Sequence, residues 1–575
     1  MLAAVMNPFS RPGRLGLWRC LSVLSLFLLG AGAPAQVMVQ VATNFTGSTY
    51  NNGSNTGNSS AIPPDPNGAI GPRHFVEFIN GAFDVYNRTN GHSVLRKSDV
   101  KFWSDAGVNI ASGWGVSDPR IVYDPASQRW FASQVDLDAN AASGDPTLEA
   151  NDFLIAVSDT SDPTGTGTWH GFIFQADPDN GDFADFPTLG VDSNAVYLAG
   201  DFFVGSDNPI GPGLVSIPKA DLLAAAPTIA NRTWFGVMDY GVRGQVLQPA
   251  ICLDGSSSGT VLAMGDIGND SDPHSNLVTF AVQDAATPSA TLSDSTTITV
   301  NPYVVPFNSS VGAPMFNPVQ PDGTTMLAAN DARLSARVFA VNGVLYAAHS
   351  TEVNNRIAIR WYRINAATHA LLESGTIADT NLDLFFPAIA ANTNGTVIIG
   401  CNGCSINTPV SCYVIPGQTF NGVTTFGSRI LLQSGATSYH GDDEVEEELL
   451  DELGYDIPPI SRWGDYSTVT VDPIDPNQFW FVGMYPSDPA NNDVWSTSIT
   501  RLLTAPLQLA LVRSGSNVAV SWPGLLTGYQ LLTATNLTPP VAWSSVTQTP
   551  VTNGNSISVT MPVSGRQQFF RLYHP

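Results

Sequence analysis

A chain of 575 residues is longer than one ordinary core, so two or more domains are expected. Its formal net charge of −25 makes nucleic acid a poor partner and disfavours anionic lipid, because a surface of that sign repels phosphate groups. Most of its carboxylates are expected to serve as a like-charged soluble surface.

Residues 1–35 have the layout of a secretory signal peptide. Arg11, Arg14 and Arg19 precede the apolar run from Leu21 to Leu29, and Ala33 and Ala35 offer a small-residue cleavage spacing. The run is short for a bilayer span and no later run is longer, so export without stable membrane insertion is expected, to the extracellular space, the outer cell surface or the periplasm. Residues 36–62 are rich in Asn, Gly, Ser and Thr and read as a flexible lead-in.

From 63 to 504 the text changes. Short runs of Val, Ile, Phe, Tyr and Trp recur between Gly, Pro, Asn and Asp, as in His74–Ile79, Ala195–Ala199, Thr396–Gly400 and Phe479–Val482. Such runs are strands. They fall into seven loose units, opening at Asp65-Pro66, Asp118-Pro119, Phe186-Pro187, Gln248-Pro249, Ala336-Arg337, Phe386-Pro387 and Gly464-Asp465. Four-stranded blades around a channel explain these units, and an array of β-sandwiches is the alternative. Helical patterns are confined to Lys219–Ala225 and the acidic stretch Asp442–Leu453, which is expected to dock on the propeller or to cover its mouth. After Thr504, runs such as Leu507–Val512, Asn517–Trp522 and Gln568–Leu572 fit a small Ig-like sandwich over 505–575. The expected fold is therefore all-β, a seven-bladed β-propeller followed by a small Ig-like β-sandwich.

Four cysteines follow the leader. In an oxidising compartment a disulfide is expected, with Cys412 pairing back to Cys401 or Cys404 on the preceding strand and Cys401–Cys412 favoured. A zinc site would use the same C-x2-C spacing, but no fourth ligand is evident.

The unit openings supply the candidate site residues, since the innermost strand of a blade lines the channel. Asp118 and Asp465 are candidates for an acid–base pair in glycosidic cleavage. Tyr466 is a candidate nucleophile. Arg120, Arg337 and Arg462 offer fork-shaped, always charged donors that would converge on a carboxylate or sulfate, with Trp463 beside them. Each has a structural alternative: Arg462 with Asp465 as an ion pair, Trp463 as packing between blades, Asp118 as a turn acceptor. For Ca²⁺, the cluster Asp177, Asp179, Asn180 and Asp182 alternates hard oxygen ligands, as do Asp136–Asn140 and Asn269–Asp272, although none has a full EF-hand pattern. No H-E-x-x-H, G-x-S-x-G or P-loop occurs, and no organic cofactor is expected.

The stretches Pro63–Pro72, Asp118–Asp124, Arg333–Arg337, Arg356–Tyr362 and above all Ser461-Arg-Trp-Gly-Asp-Tyr-Ser467 resemble a family of exported bacterial β-propeller proteins, some bearing a sialidase-like description. That resemblance implies a propeller and an extracellular role without fixing a reaction. A sialidase would carry S-x-D-x-G-x-x-W boxes, of which Ser104–Gly107 is only a fragment. The stretches Val518–Trp522, Ala534–Leu537 and Gln568–Leu572 resemble tail modules of secreted Gram-negative proteins, associated with export or surface display. Two expectations follow. In the first, a monomeric secreted propeller holds an extracellular polysaccharide or a cell-surface protein at its mouth. In the second, it cleaves glycans as a hydrolase or lyase, with acidic sugars favoured by the arginines.

Overall fold

The computed structural model describes residues 37–51, 59–165, 167–205, 208–267, 273–306, 318–441, 460–506, 509–554, 556–563 and 567–573. The leader over 1–35, the acidic stretch Asp442–Leu453 and the cluster Asn269–Asp272 lie outside these residues. The chain divides into two compact units. The larger comprises residues 41–415 and 428–502, and the smaller comprises the described residues among 1–40, 416–427 and 503–575.

The larger unit is a β-propeller. Among the described residues, seven antiparallel sheets of four or five strands follow one another, beginning at Asn67–Ile70, Trp114–Asp124, Phe183–Val191, Gln245–Pro249, Phe339–Val341, Asp383–Ala391 and Thr468–Val471. The first strands of neighbouring sheets pack side by side, and that of the seventh packs against that of the first, which closes the ring. A main-chain bridge between Ile251 and Phe339 links the fourth and fifth. The inner strands of each sheet are covered on both faces by neighbouring sheets, so they are buried along nearly their whole length, whereas outer strands such as Ser93–Lys97 and Thr296–Tyr303 are part-exposed. Thr396–Ser405 is buried at every position. Aromatic side chains fill the gap between the first two sheets, where Phe78, Phe83, Phe102, Trp103, Trp130 and Trp169 share one cluster.

Two expectations are corrected. The lead-in over 36–62 is not flexible throughout, because Val37–Thr49 is a strand on the outer edge of the seventh sheet. Composition misled because an open sheet edge rewards any strand that can cover it. Within the larger unit, Ser48 N–H donates to Thr497 Oγ1 at 2.9 Å and Tyr50 N–H to Trp495 O at 2.9 Å. The Cys401–Cys412 disulfide is not formed. Cys252, Cys401, Cys404 and Cys412 are buried free thiols. Cys412 Sγ donates instead to Met484 O at 3.3 Å and Cys404 Sγ to Val319 O at 3.5 Å, so the sulfurs turn to carbonyls outside their own hairpin.

The smaller unit holds two antiparallel sheets. One orders Ala510–Ser514, Asn517–Pro523, Ser556–Pro562 and Val551–Asn553, and the other Ser544–Ser545, Gln530–Ala534 and Phe569–Tyr573. Val518, Val520, Trp522, Leu531, Val559 and Phe570 form their shared core.

Candidate functional site

The site is made by kinks in the innermost strands. Asp65, Asp118, Phe186, Val246 and Phe386 all have φ between 48° and 60°. Pairing slips at the same level between Ser117 and Arg120, Asp185 and Thr188, Gln245 and Gln248, and Phe385 and Ala388. Four of the five kinked residues precede proline, where extended backbone is the ordinary state. Such left-handed positions cost on the order of 1–3 kcal/mol each and persist only where surrounding packing imposes them. Of the kinked residues, Asp65 and Asp118 line one cavity, while Phe186, Val246 and Phe386 pack into the core beside it.

That cavity has a volume of about 470 Å³ and is lined by Asp65, Asp99, Asp118, Asp185, Arg462 and Asp465 among smaller apolar and polar neighbours. One carboxylate oxygen from each of Asp65, Asp118 and Asp465 lies within 4.8 Å of the others. Asn80 ties the cluster together. Its Nδ2 donates to Asp65 Oδ2 at 2.9 Å, and its Oδ1 accepts from Asp118 N–H at 2.8 Å. Asp65 Oδ1 accepts from Asp465 N–H at 2.8 Å, joining the first and last sheets.

The carboxylates are not equivalent. Asp465 is held below the usual carboxylate range despite burial, by Arg462 at 2.9 Å, by Asn330 Nδ2 at 2.7 Å and by the charge of Arg333. Burial first, then the charges of Asp185 and Asp465, push Asp118 up to about 7. Burial and the charges of Asp465 and Asp118 raise Asp65 well above its ordinary value. Asp185 is open to the cavity yet also raised, by the low-dielectric wall and by Asp465. The result is one anchored carboxylate beside Asp118, pushed up to about 7, and two further carboxyls that bind their protons more tightly than a free carboxylate does. Hard oxygens at this spacing would also take a divalent cation in place of those protons, in competition with Arg462.

Asp118, Arg462 and Asp465 converge as expected from their positions at unit openings. Arg120 and Arg337 do not join them in the cavity lining. Arg120 donates to Pro187 O at 2.8 Å and Ser335 O at 3.4 Å, and lies 3.6 Å from the centroid of the Tyr466 ring. Arg337 donates to Gly68 O at 3.1 Å, to Asn67 Oδ1 and to Ile121 O. The two arginines come from the second and fifth sheets and hold one another's flanking main chain. Burial and the charge of Arg120 push Arg337 down to about 9. Tyr466 is buried with its hydroxyl on Pro119 O at 3.2 Å, and its phenol is raised well above normal by burial. It is not placed as a nucleophile. Trp463 packs in a core cluster with Tyr439 and Met484.

The cluster Asp177–Asp182 closes a turn. Asp177 Oδ1 accepts from Asp179 N–H at 3.0 Å and Oδ2 from Asp182 N–H at 3.4 Å, while Asp179 Oδ2 accepts from Trp234 Nε1 at 3.0 Å. Sequence reasoning passed over Asn80, Asn330 and Arg333. The repeated pairing of Asp or Phe with Pro at unit openings was the available signal for the kinks that aim this cluster.

No protein-family model matches the chain, and no curated protein matches it. Solved structures similar to it include a GH93 α-L-arabinofuranosidase of Fusarium graminearum, at 10% identity over 80% of this chain and 98% of that one, with a TM-score of 0.37. Drosophila Semaphorin 1b, extracellular domains 1–2, has 8% identity over 80% of this chain and 88% of that one, with a TM-score of 0.31. An exo-β-1,3-galactanase from Phanerochaete chrysosporium has 10% identity over 92% and 96%, with a TM-score of 0.29. None of their activities is transferred to this chain.

Proposed function

We propose that the protein is an exported glycan-recognising propeller that takes an uncharged sugar at the Asp65–Asp118–Asp465 cavity. The observation that carries this reading is the makeup of the cavity wall. Its carboxylates accept hydrogen bonds from hydroxyls, and Arg462 supplies donors, while a volume of about 470 Å³ suits a small ligand. Acidic sugars fit poorly. The two arginines that would have met their carboxylates are committed to main-chain carbonyls, and five Asp outnumber Arg462 at the wall.

A second reading, hydrolysis, is favoured by the split between Asp465, held low, and Asp118, raised to about 7. Carboxyls whose environments push them apart can serve as proton donor and anionic partner at one glycosidic bond.

The test is retention of the full chain on immobilised neutral, acidic and cationic polysaccharides, scored together with new reducing ends. Retention on neutral chains without new ends supports recognition, and new ends that vanish in Asp118→Asn support cleavage. Preferential retention on acidic chains, or retention on none with a cell-surface protein bound instead, overturns the neutral-sugar reading. Asp118→Asn is expected to weaken retention about 10–100-fold, the worth of one charge-assisted hydrogen bond.

A further inference from the structure

A second buried acidic network lies at the seam where the ring closes. Glu77 and Asp84 belong to the first sheet and are wholly buried. Ser48 comes from the N-terminal strand on the edge of the seventh sheet, and Thr497 from the strand paired with it. Ser48 Oγ lies 2.8 Å from Glu77 Oε2 and 2.8 Å from Asp84 Oδ2. Tyr86 Oη lies 2.9 Å from Glu77 Oε2 and 3.3 Å from Asp84 Oδ2. Ser48 N–H donates to Glu77 Oε2 at 3.0 Å, and Thr497 Oγ1 donates to Glu77 Oε1. Arg96 Nε is 3.3 Å from Asp84 Oδ2, and its Nη2 reaches Gly47 O at 3.3 Å.

Counting protons decides the state of this network. A hydroxyl has one proton to donate. Ser48 and Tyr86 each face both carboxyl groups, which makes four oxygen–oxygen contacts for two hydroxyl protons. With both carboxyls ionised, two of those contacts would set lone pair against lone pair. One added proton on the pair relieves the shorter of the two, because Ser48 Oγ can then accept from one carboxyl and donate to the other, and only the 3.3 Å contact of Tyr86 Oη with Asp84 is left without a proton. Charge gives the same answer. Arg96 neutralises one carboxylate, and a second would sit uncompensated inside the protein. Asp84 Oδ1 is buried without a hydrogen-bond partner, a poor setting for a full negative charge. Burial and the charge of Glu77 raise Asp84 to about 7, in the direction the geometry requires.

We propose that Glu77 and Asp84 share one proton that latches the N-terminal strand onto the ring, so that the seam is closed in mild acid and loosens when the proton leaves. The groups facing the pair are Ser48, Tyr86, Arg96 and Thr497. Loss of the proton leaves Ser48 between two anions, and Ser48, with Phe45 on the Tyr86 ring and Gly47 O on Arg96, is where the edge strand grips the first sheet. The released element is the strand over 41–49, while the six sheets before the seventh keep their own pairing.

Limited proteolysis of the full chain tests this, with protease activity matched on a peptide standard at each pH. Cleavage within 37–51 is expected to rise about tenfold or more between about pH 6 and about pH 8.5 in the wild type, since one pH unit beyond a titration is a tenfold change in population. Asp84→Asn, which keeps a neutral donor at that site, is expected to hold the cleavage rate flat across the same range. Glu77→Gln replaces it as the variant if Asp84→Asn does not fold. Equal wild-type cleavage at the two pH values overturns the proposal, and so does a folded variant that keeps the full pH dependence. If neither variant folds, the wild-type cleavage sites decide: new cuts confined to 37–51 support the latch, and cuts spread over the propeller overturn it.

Discussion

Tyr466 and Asp465 are adjacent in sequence and have opposite duties. Asp465 reaches the cavity and is ionised by its guanidinium partner, whereas Tyr466 turns under the cavity floor and carries the Arg120 guanidinium on its ring face. The phenolic hydroxyl adds one hydrogen bond to a main-chain carbonyl. Tyr466→Phe is therefore expected to cost about 0.5–1.5 kcal/mol in denaturant unfolding, the net worth of one such bond, and to leave polysaccharide retention unchanged. Abolished retention or cleavage in a folded Tyr466→Phe protein would restore the nucleophile reading. Asp118→Asn is the contrasting change. Asn accepts the left-handed φ of 60° that this position requires, so the substitution removes charge without disturbing the kink.

At the scale of the element, the kink before proline presents Asp65 and Asp118 to the cavity and buries Phe186 and Phe386. Its strain is testable at Phe386, where φ is 48° and the ring is buried. Both Phe386→Ala and Phe386→Gly lose the ring, at about 3–5 kcal/mol. In ordinary strand backbone, Gly is then about 0.5–1 kcal/mol worse than Ala. Here Gly also relieves the left-handed penalty of roughly 1–2 kcal/mol, so Phe386→Gly is expected to be no less stable than Phe386→Ala in chemical denaturation. The usual Ala-over-Gly order would show that the kink is unstrained. The kinks also mark how far the sequence could be read. Blades were legible because strands covered on both faces become uninterrupted apolar runs. The convergence of Asp118, Arg462 and Asp465 was legible because unit openings recur at one level of the channel. The partners of Arg120 and Arg337 were not, because a guanidinium offers the same fork to a ligand carboxylate and to a carbonyl. Ser335 and Gly68, which accept those forks, lie 215 and 269 positions away. The edge strand over 37–49 escaped because its apolar start, Val37 to Val41, runs into the Asn-, Gly-, Ser- and Thr-rich text that follows, and because its reason for ordering is an open edge contributed by the far end of the chain.

Across the whole molecule, the buried acids give stability an unusual pH dependence. Asp84, Asp118, Asp136 and Asp201 are each raised to about 7 and Asp99 to about 6, chiefly by burial. Glu77, Asp65 and Asp185 shift the same way. Some acids move down: Asp465 does so under Arg462, while Asp105, Asp254 and Asp322 are more open to solvent and their shifts are screened. A carboxyl raised on folding binds its proton more tightly in the folded state. Its contribution is complete below the unfolded value near 4 and is lost as pH rises through the folded value near 7. The Tm is therefore expected to fall as pH rises from about 5 to about 8, opposite to a protein stabilised by ionised surface pairs. Relief of repulsion within a chain of net charge −25 would give the same sign, and salt separates the two causes. At about 0.5 M salt, repulsion among exposed charges is screened within a few ångströms, whereas burial of an unpaired carboxylate is not relieved. Scanning calorimetry at high salt is expected to retain most of the slope. Asp84→Asn and Asp118→Asn should each remove part of it, and their effects should add, because the seam and the cavity share no hydrogen-bonded residue. A Tm that becomes independent of pH in high salt would assign the effect to surface charge and remove the buried acids as its cause.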